Sequence, residues 1–152
     1  RLLRLPEASS SIQNLTNDNF QETIFDEKSI DLNKITRLIL SSGKIYYDLI
    51  AEQAARKATD IAIVRVEQLY PWPAHRIEPL VKQYSSATEV FWVQEEPRNM
   101  GAWNYIRDAL SEALGSKQAL SYVGRAQAAA PAVGSSKVHE KEQKSILEEA
   151  LK

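Results

Sequence analysis

The sequence predicts an α/β domain with a mostly parallel sheet and helices on both faces. Three observations predict it. Short β-branched or aromatic runs recur from Ile35 onward. Each is followed by a stretch with apolar residues at helical spacing. One run, Ile61-Ala62-Ile63-Val64-Arg65-Val66, is nearly continuous in apolar character, as a strand covered on both faces should be. Strands alternating with helices of this length indicate βαβ units, whose crossovers are right-handed.

The elements follow in order. Residues 1–34 read as a connector. Ser9-Ser10-Ser11 and Asn14 to Asn19 are turn chemistry, because short polar side chains bond to their own backbone. Phe20, Ile24 and Phe25 are isolated anchors there and need a surface to sit on. An irregular stretch of this length is uncommon inside a compact domain, which points to a preceding domain of the same polypeptide. The α/β domain then occupies residues 35–152. Arg37 to Leu40 is a short apolar run ended by Ser41-Ser42-Gly43, and Lys44 to about Lys57 has Ile45, Leu49 and Ile50 on one helical face. After the 61–66 strand, Tyr70-Pro71-Trp72-Pro73 breaks the chain, and Ile77, Leu80, Val81 and Tyr84 resume helical spacing. Glu89 to Val93 is the third strand, Gly101 to about Leu114 the third helix, and Ala119 to Val123 the fourth strand. Residues 126–136 form a loop of small residues, and Lys137 to Leu151 is the last helix.

Composition excludes several functions. With 152 residues, 43% hydrophobic and 26% charged, the chain is globular in type. Nineteen Lys and Arg against twenty Asp and Glu give a net charge of -1, which argues against nucleic acid as a partner. No apolar run approaches the ~18 residues of a membrane span, and the apolar part of the N-terminal stretch is too short for a signal peptide. Cysteine is absent and there are two histidines, so thiolate sites and a multi-histidine metal site are excluded. There is no G-x-G-x-x-G, Walker or G-x-S-x-G sequence. His139-Glu140 begins like H-E-x-x-H, but Gln143 stands where the second histidine would be. The Gly-Asp-Gly opening of the thiamine diphosphate motif is also missing. No catalytic residue, cofactor site or metal site is therefore assigned within the chain.

Four segments stand out, and each follows a strand: Ser41 to Lys44, Glu67 to Pro73, Gln94 to Trp103, and Tyr122 to Arg125 leading into Ser135-Ser136-Lys137-Val138-His139. In a parallel sheet all four fall at the carboxyl edge, where ligands and partners bind in open α/β folds. Each also has a plain structural reading. Ser42-Gly43 serves as a turn and helix cap, or with Lys44 as an anion site at a helix start. Tyr-Pro-Trp-Pro is a rigid turn, since each proline fixes φ and bars the helical region for the residue before it. Glu95 and Glu96 are adjacent on a strand and point to opposite faces, so they do not share a proton. Tyr70, Trp72, Glu95, Glu96 and Trp103 are read as interface residues, Trp103 equally as core.

Taken together and in this order, Ser-Gly-Lys-Ile-Tyr-Tyr-Asp-Leu, Glu-Gln-Leu-Tyr-Pro-Trp-Pro, Gln-Glu-Glu-Pro-Arg-Asn-Met-Gly-Ala-Trp, Tyr-Val-Gly-Arg and Ser-Ser-Lys-Val-His resemble the C-terminal domain of the 2-oxoglutarate dehydrogenase family. Leu2-Leu3-Arg4 with Pro6-Glu7-Ala8 resemble the connector before that domain. The related 2-oxoadipate enzymes share the architecture. The resemblance implies a transketolase C-terminal-type fold, three-layered, with about five mostly parallel strands. It implies a parent that decarboxylates 2-oxoglutarate on thiamine diphosphate and Mg²⁺, held by upstream domains, and passes succinyl to the lipoyl group of a succinyltransferase component. It implies a homodimer, in the bacterial cytoplasm or the mitochondrial matrix. Some members are activated by acetyl-CoA at this domain, and the positions matching that site are Ser41, Gln94 and Arg125, with Lys57 a weaker match. Lys44 and Lys137 would add positive potential. The chain departs from those members at Gly124, where they carry a basic residue, and at Ala126-Gln127, which replace a Pro-Ala pair. Three readings compete: a structural and assembly domain, a small-molecule sensor of the same enzyme, and a free-standing enzyme of flavodoxin-like shape.

Overall fold

The structure, a computed structural model, describes residues 4–17, 19–25 and 31–152. Leu2 and Leu3, part of the connector resemblance, lie outside them. A short helix α1 (Ile12–Asn17) precedes β1 (Thr23–Phe25). The alternating core follows: β2 (Arg37–Ser41), α2 (Ile45–Arg56), β3 (Ile61–Val66), α3 (Ala74–Gln83), β4 (Glu89–Pro97), α4 (Trp103–Ala113), β5 (Ala119–Arg125) and α5 (Ser136–Ala150). The sheet order is β1-β3-β2-β4-β5. All neighbours are parallel except β1, which pairs antiparallel with β3, Thr23 opposite Val66 and Phe25 opposite Val64.

Two apolar clusters make the three layers. On one face, Leu38, Leu40, Ala62, Val64, Val90 and Trp92 of the strands pack against Ile77, Leu80 and Val81 of α3 and Trp103, Ile106 and Leu110 of α4. On the other, Ile39, Ile61, Ile63, Val93 and Val123 pack against Ile45 and Leu49 of α2 and Ile146 and Ala150 of α5. The period of two along a strand sorts these residues: Leu38 and Leu40 face one way, Ile39 the other. Arg37 ties α5 to the start of β2. Its guanidinium lies 2.6 and 2.9 Å from Glu89 Oε2, donates to the Ala150 carbonyl at 2.8 Å, and covers the Phe91 ring at 4.4 Å.

The structure differs from the sequence expectation at α1, which covers Asn14 to Asn17 where turn chemistry is expected, at β5, which runs to Arg125 rather than Val123, and at β1 and β4. β1 falls within residues 1–34, where no strand is predicted. Three residues are too few to display an alternation, and Phe25 stays 41% exposed at the sheet edge. β4 runs on to Pro97 rather than ending at Val93, with a register shift between those two residues. A bulge adds a residue and breaks the period of two, so the pattern stops being legible where the strand does not.

Candidate functional site

The sheet has a topological switch between β2 and β4. These neighbours run parallel, yet the helices that follow them, α2 and α4, cover opposite faces. In open α/β sheets the crevice outside the carboxyl ends at such a point is where ligands bind. The buried polar residues among the described residues, Ser41 (0% exposed) and Gln94 (1%), both lie there.

Gln94 is the hub of the loop that follows it. Its Oε1 accepts from Trp92 Nε1 at 2.9 Å and from the Trp103 amide at 3.2 Å. Its Nε2 reaches the carbonyls of Met100 (2.8 Å), Pro97 (3.2 Å) and Glu96 (3.3 Å). A primary amide has two donors and two acceptor positions, so nothing is left for a ligand. Gly101, at φ +67, comes so close that a Cβ there would lie 2.8 Å from Nε2. The segment Gln-Glu-Glu-Pro-Arg-Asn-Met-Gly-Ala-Trp is thus a wrapper: Pro97 extends the chain, Gly101 turns it past the amide, and the amide caps the start of α4.

The residues expected to form an anion site do not all share one face of the sheet. Gln94 turns to the α4 side of the sheet. Arg125, two residues beyond the inward Val123, turns to the α5 side. Its side chain is 8% exposed, with Nε 3.1 Å from Glu142 Oε2 and Nη2 2.5 Å from His139 Nδ1. Its carboxylate partner is thus Glu142 on α5 and not Glu95 or Glu96. Ser41 shares the α2–α5 side with Ile39, and its Oγ is buried without a hydrogen-bond partner. Lys44 is spoken for by Asp48 Oδ2 at 2.5 Å, which also accepts from Gln143 Nε2 at 2.9 Å, joining α2 to α5. Lys57 follows the last residue of α2, a helix of 12 residues and so about 18 Å long, at the opposite end of the sheet. Lys137 is exposed on the first turn of α5.

Of the residues read as interface, Tyr70 is 80% exposed and leans on Tyr105, 51% exposed, with ring centroids 6.0 Å apart. Trp72 is half-buried against the α3–α4 cluster, Glu95 is half-buried, and Glu96 is exposed. Trp103 is 4% exposed and packs on the Tyr122 ring at 5.4 Å. It belongs to the core of this chain, because the Gln94 cap draws the start of α4 onto the sheet.

Sequence reasoning quotes Tyr122 and His139 within its motifs without giving them a role at the site, and does not single out Glu142. Burial pushes the Tyr122 hydroxyl above its ordinary value. It stays a donor, shared between the carbonyls of Glu96 at 3.0 Å and Arg125 at 3.1 Å. This bridge requires Gly124: a Cβ there would lie 2.7 Å from Tyr122 Cζ, 2.8 Å from the Gln94 carbonyl oxygen, and against the Tyr122 hydroxyl. Gly124 is therefore matched to the tyrosine two residues before it. Gly124→Ala is expected to cost about 2 kcal/mol through overpacking. The penalty should shrink in a Tyr122→Phe background, as read from urea midpoints of the four variants in a double-mutant cycle. Equal penalties in both backgrounds would show that the tyrosine is not the obstacle.

Fold and site define a class: a doubly wound α/β domain in which Gln94, at the carboxyl edge of the sheet, is bonded within its own loop. Over residues 9–151 the chain matches the profile described as 2-oxoglutarate dehydrogenase C-terminal, and it belongs to that family. It is 41% identical over 150 residues to the oxoglutarate dehydrogenase of Buchnera aphidicola subsp. Baizongia pistaciae. It is 40% identical over 150 residues to the 2-oxoglutarate dehydrogenase E1 component of Cupriavidus necator, and 45% identical over 154 residues to that of Rickettsia typhi. Each alignment covers 99% of this chain and 16% of the relative, so the chain spans about a sixth of the length of these proteins.

Proposed function

We propose that the chain acts as a structural and assembly domain of a 2-oxoglutarate dehydrogenase decarboxylating component, with residues 1–34 connecting it to upstream domains. In this reading the parent converts 2-oxoglutarate on thiamine diphosphate and Mg²⁺ and hands succinyl to a lipoyl-bearing succinyltransferase, as a homodimer within a multienzyme complex. The residues of this chain do not fit that cofactor. The sequence has no Gly-Asp-Gly motif, and no group of three or more acidic or histidine side chains among the described residues could hold a metal ion. No chemical step is assigned to them. What the domain supplies is shape: an edge against which neighbouring domains and a second subunit pack. The exposed Tyr70–Tyr105 pair favours such a surface, since aromatic rings with a polar tip are enriched where proteins meet.

The observation that carries this reading is that three of the polar side chains expected at the site already have partners within the chain. Gln94 is fully bonded, Arg125 is held by Glu142 and Lys44 by Asp48. An acyl-CoA sensor built on the same residues would have to break these contacts first. The test is acetyl-CoA titrated against the decarboxylation rate of the full-length enzyme, wild type and Arg125→Ala. A rate independent of acetyl-CoA in both supports the architectural reading. Activation of the wild type that Arg125→Ala abolishes would replace it with the sensing one.

A further inference from the structure

We propose that the five-stranded sheet is extended at β1 by a further strand, an extended segment of the same parent polypeptide that pairs along the outer edge of β1 and sets a carboxylate on Arg76. β1 ends the sheet: it is paired with β3 on one side, and no strand among the described residues pairs with its other side. Along an antiparallel pair, residues alternate between those that bond to the partner strand and those whose N–H and C=O turn away from it. Glu67 donates to the Glu22 carbonyl at 2.8 Å, so these two are a bonded pair. In the register Thr23 to Val66, Ile24 to Arg65 and Phe25 to Val64, Ile24 is then the residue bonded to β3. The N–H and C=O groups of Thr23 and Phe25 face outward, and onto such groups a further strand pairs. Apart from its shortness, β1 has none of the devices that blunt an edge, since Thr-Ile-Phe carries no charge and no proline.

The side chains around this edge describe the occupant. Thr23 and Phe25 share the α3 side of the sheet with their partners Val66 and Val64. There a groove of about 550 Å³ is lined by Phe20, Phe25, Pro79 and Leu80 together with Glu22 and Arg76. Phe20 is 69% exposed, so an apolar side chain on the added strand covers a ring that is otherwise bare. Glu22 Oε2 lies 2.9 Å from His75 Nε2 and 3.1 Å from Arg76 Nε. That carboxylate is taken, while the two Nη groups of Arg76, on a side chain 64% exposed, have no partner among the described residues. A guanidinium fork in this state is a bidentate seat for a carboxylate. The occupant therefore carries an acidic and an apolar residue at alternate positions, which share one face of a strand. The same polypeptide is the source that fits. The chain makes up 16% of the length of its relatives, and β1 lies within the 1–34 connector, so tethering holds an upstream strand at high effective concentration. The proposal rests on the assembly reading above.

Hydrogen–deuterium exchange of the full-length protein, resolved to single amides by fragmentation, tests the pairing without a substitution. The amides of Thr23 and Phe25 are expected to be protected about 100-fold, whereas an unpaired outward amide exchanges near its intrinsic rate. Ile24, bonded to β3 in either case, is the internal reference. Protection below about tenfold at Thr23 and Phe25, with Ile24 protected, overturns the added strand. Protection that is lost on dilution, in step with dissociation of subunits, assigns the strand to a second subunit and overturns the intrachain one. In Arg76→Gln the two outward amides should lose about tenfold in protection while Ile24 is unchanged, the worth of one charge-assisted contact. Undiminished protection in that variant overturns the carboxylate partner. Acetyl-CoA activation abolished by Arg125→Ala would instead overturn the assembly reading, whatever these amides do.

Discussion

Gln94→Leu is expected to destabilise the chain by about 3 kcal/mol or more, against a typical domain stability of about 5–15 kcal/mol. Leucine approximates the shape and supplies none of the bonds. The indole N–H of Trp92, the amide of Trp103 and the carbonyl of Pro97 lose their partners in a buried place. Each such orphaned group costs about 1–3 kcal/mol, more than the bond itself contributes when made. Urea denaturation reads the effect as a lower midpoint. Gln94→Glu separates the two halves of the amide. A carboxylate keeps the acceptor role toward Trp92 and Trp103 but turns an oxygen toward the carbonyls of Met100 and Pro97. The introduced acid is therefore held protonated in the folded state, its pKa raised above the unfolded one. Its penalty grows as pH rises through the unfolded pKa and is smallest in acid. A Gln94→Leu midpoint within about 1 kcal/mol of wild type would mean that the loop finds other partners, and the hub role would be lost.

Trp103→Ala should cost about 3–5 kcal/mol, the range for deleting a large buried aromatic. The ring is 4% exposed, stacks obliquely on Tyr122 and packs with Trp92, Ile106 and Leu110. This outcome distinguishes core from interface. A core residue lowers the unfolding midpoint equally at every protein concentration. An interface residue lowers it in a concentration-dependent way, because the partner is lost by mass action. Tyr70→Ala is the useful contrast. At 80% exposed, Tyr70 makes little contact within the chain, and its removal should leave the monomer within about 0.5 kcal/mol of wild type. Sedimentation of the full-length protein carrying each substitution then assigns the two aromatics separately.

The identity of the long elements was legible in the residues themselves. Ile61 to Val66 reads as a doubly covered strand because its apolar run is almost unbroken, and α2 reads as a helix because Ile45 and Leu49 recur at its period. Both are local signals, fixed by backbone geometry that repeats along the chain. Family membership was legible in a longer string, Gln-Glu-Glu-Pro-Arg-Asn-Met-Gly-Ala-Trp, which holds Gln94 together with the Gly101 and Trp103 that wrap its amide. That wrapping could not be read from the string. The string reads Gln94 as a ligand for an anion and Glu95 and Glu96 as interface residues, and only the folded chain shows that Gln94 is consumed by its own loop.

Tertiary structure alone decided the fate of Arg125. Alternation places it on the same side as Val123, but which helix covers that side depends on strand order and register, and a one-residue shift in register exchanges the two faces. Gln94 and Arg125 lie near the ends of neighbouring strands with Val93 opposite Val123, so alternation sends Gln94 to the face of Trp92 and Arg125 to the face of Val123. Likewise, nothing in the spacing between Arg125 and Glu142 marks them as a pair. They meet because α5 returns antiparallel over the sheet, with its C-terminal end held at Arg37 and its beginning held at Arg125. Periodicity is a property of one segment, whereas a buried charge takes whichever partner the packing of other segments brings within about 3 Å, the reach of a hydrogen bond.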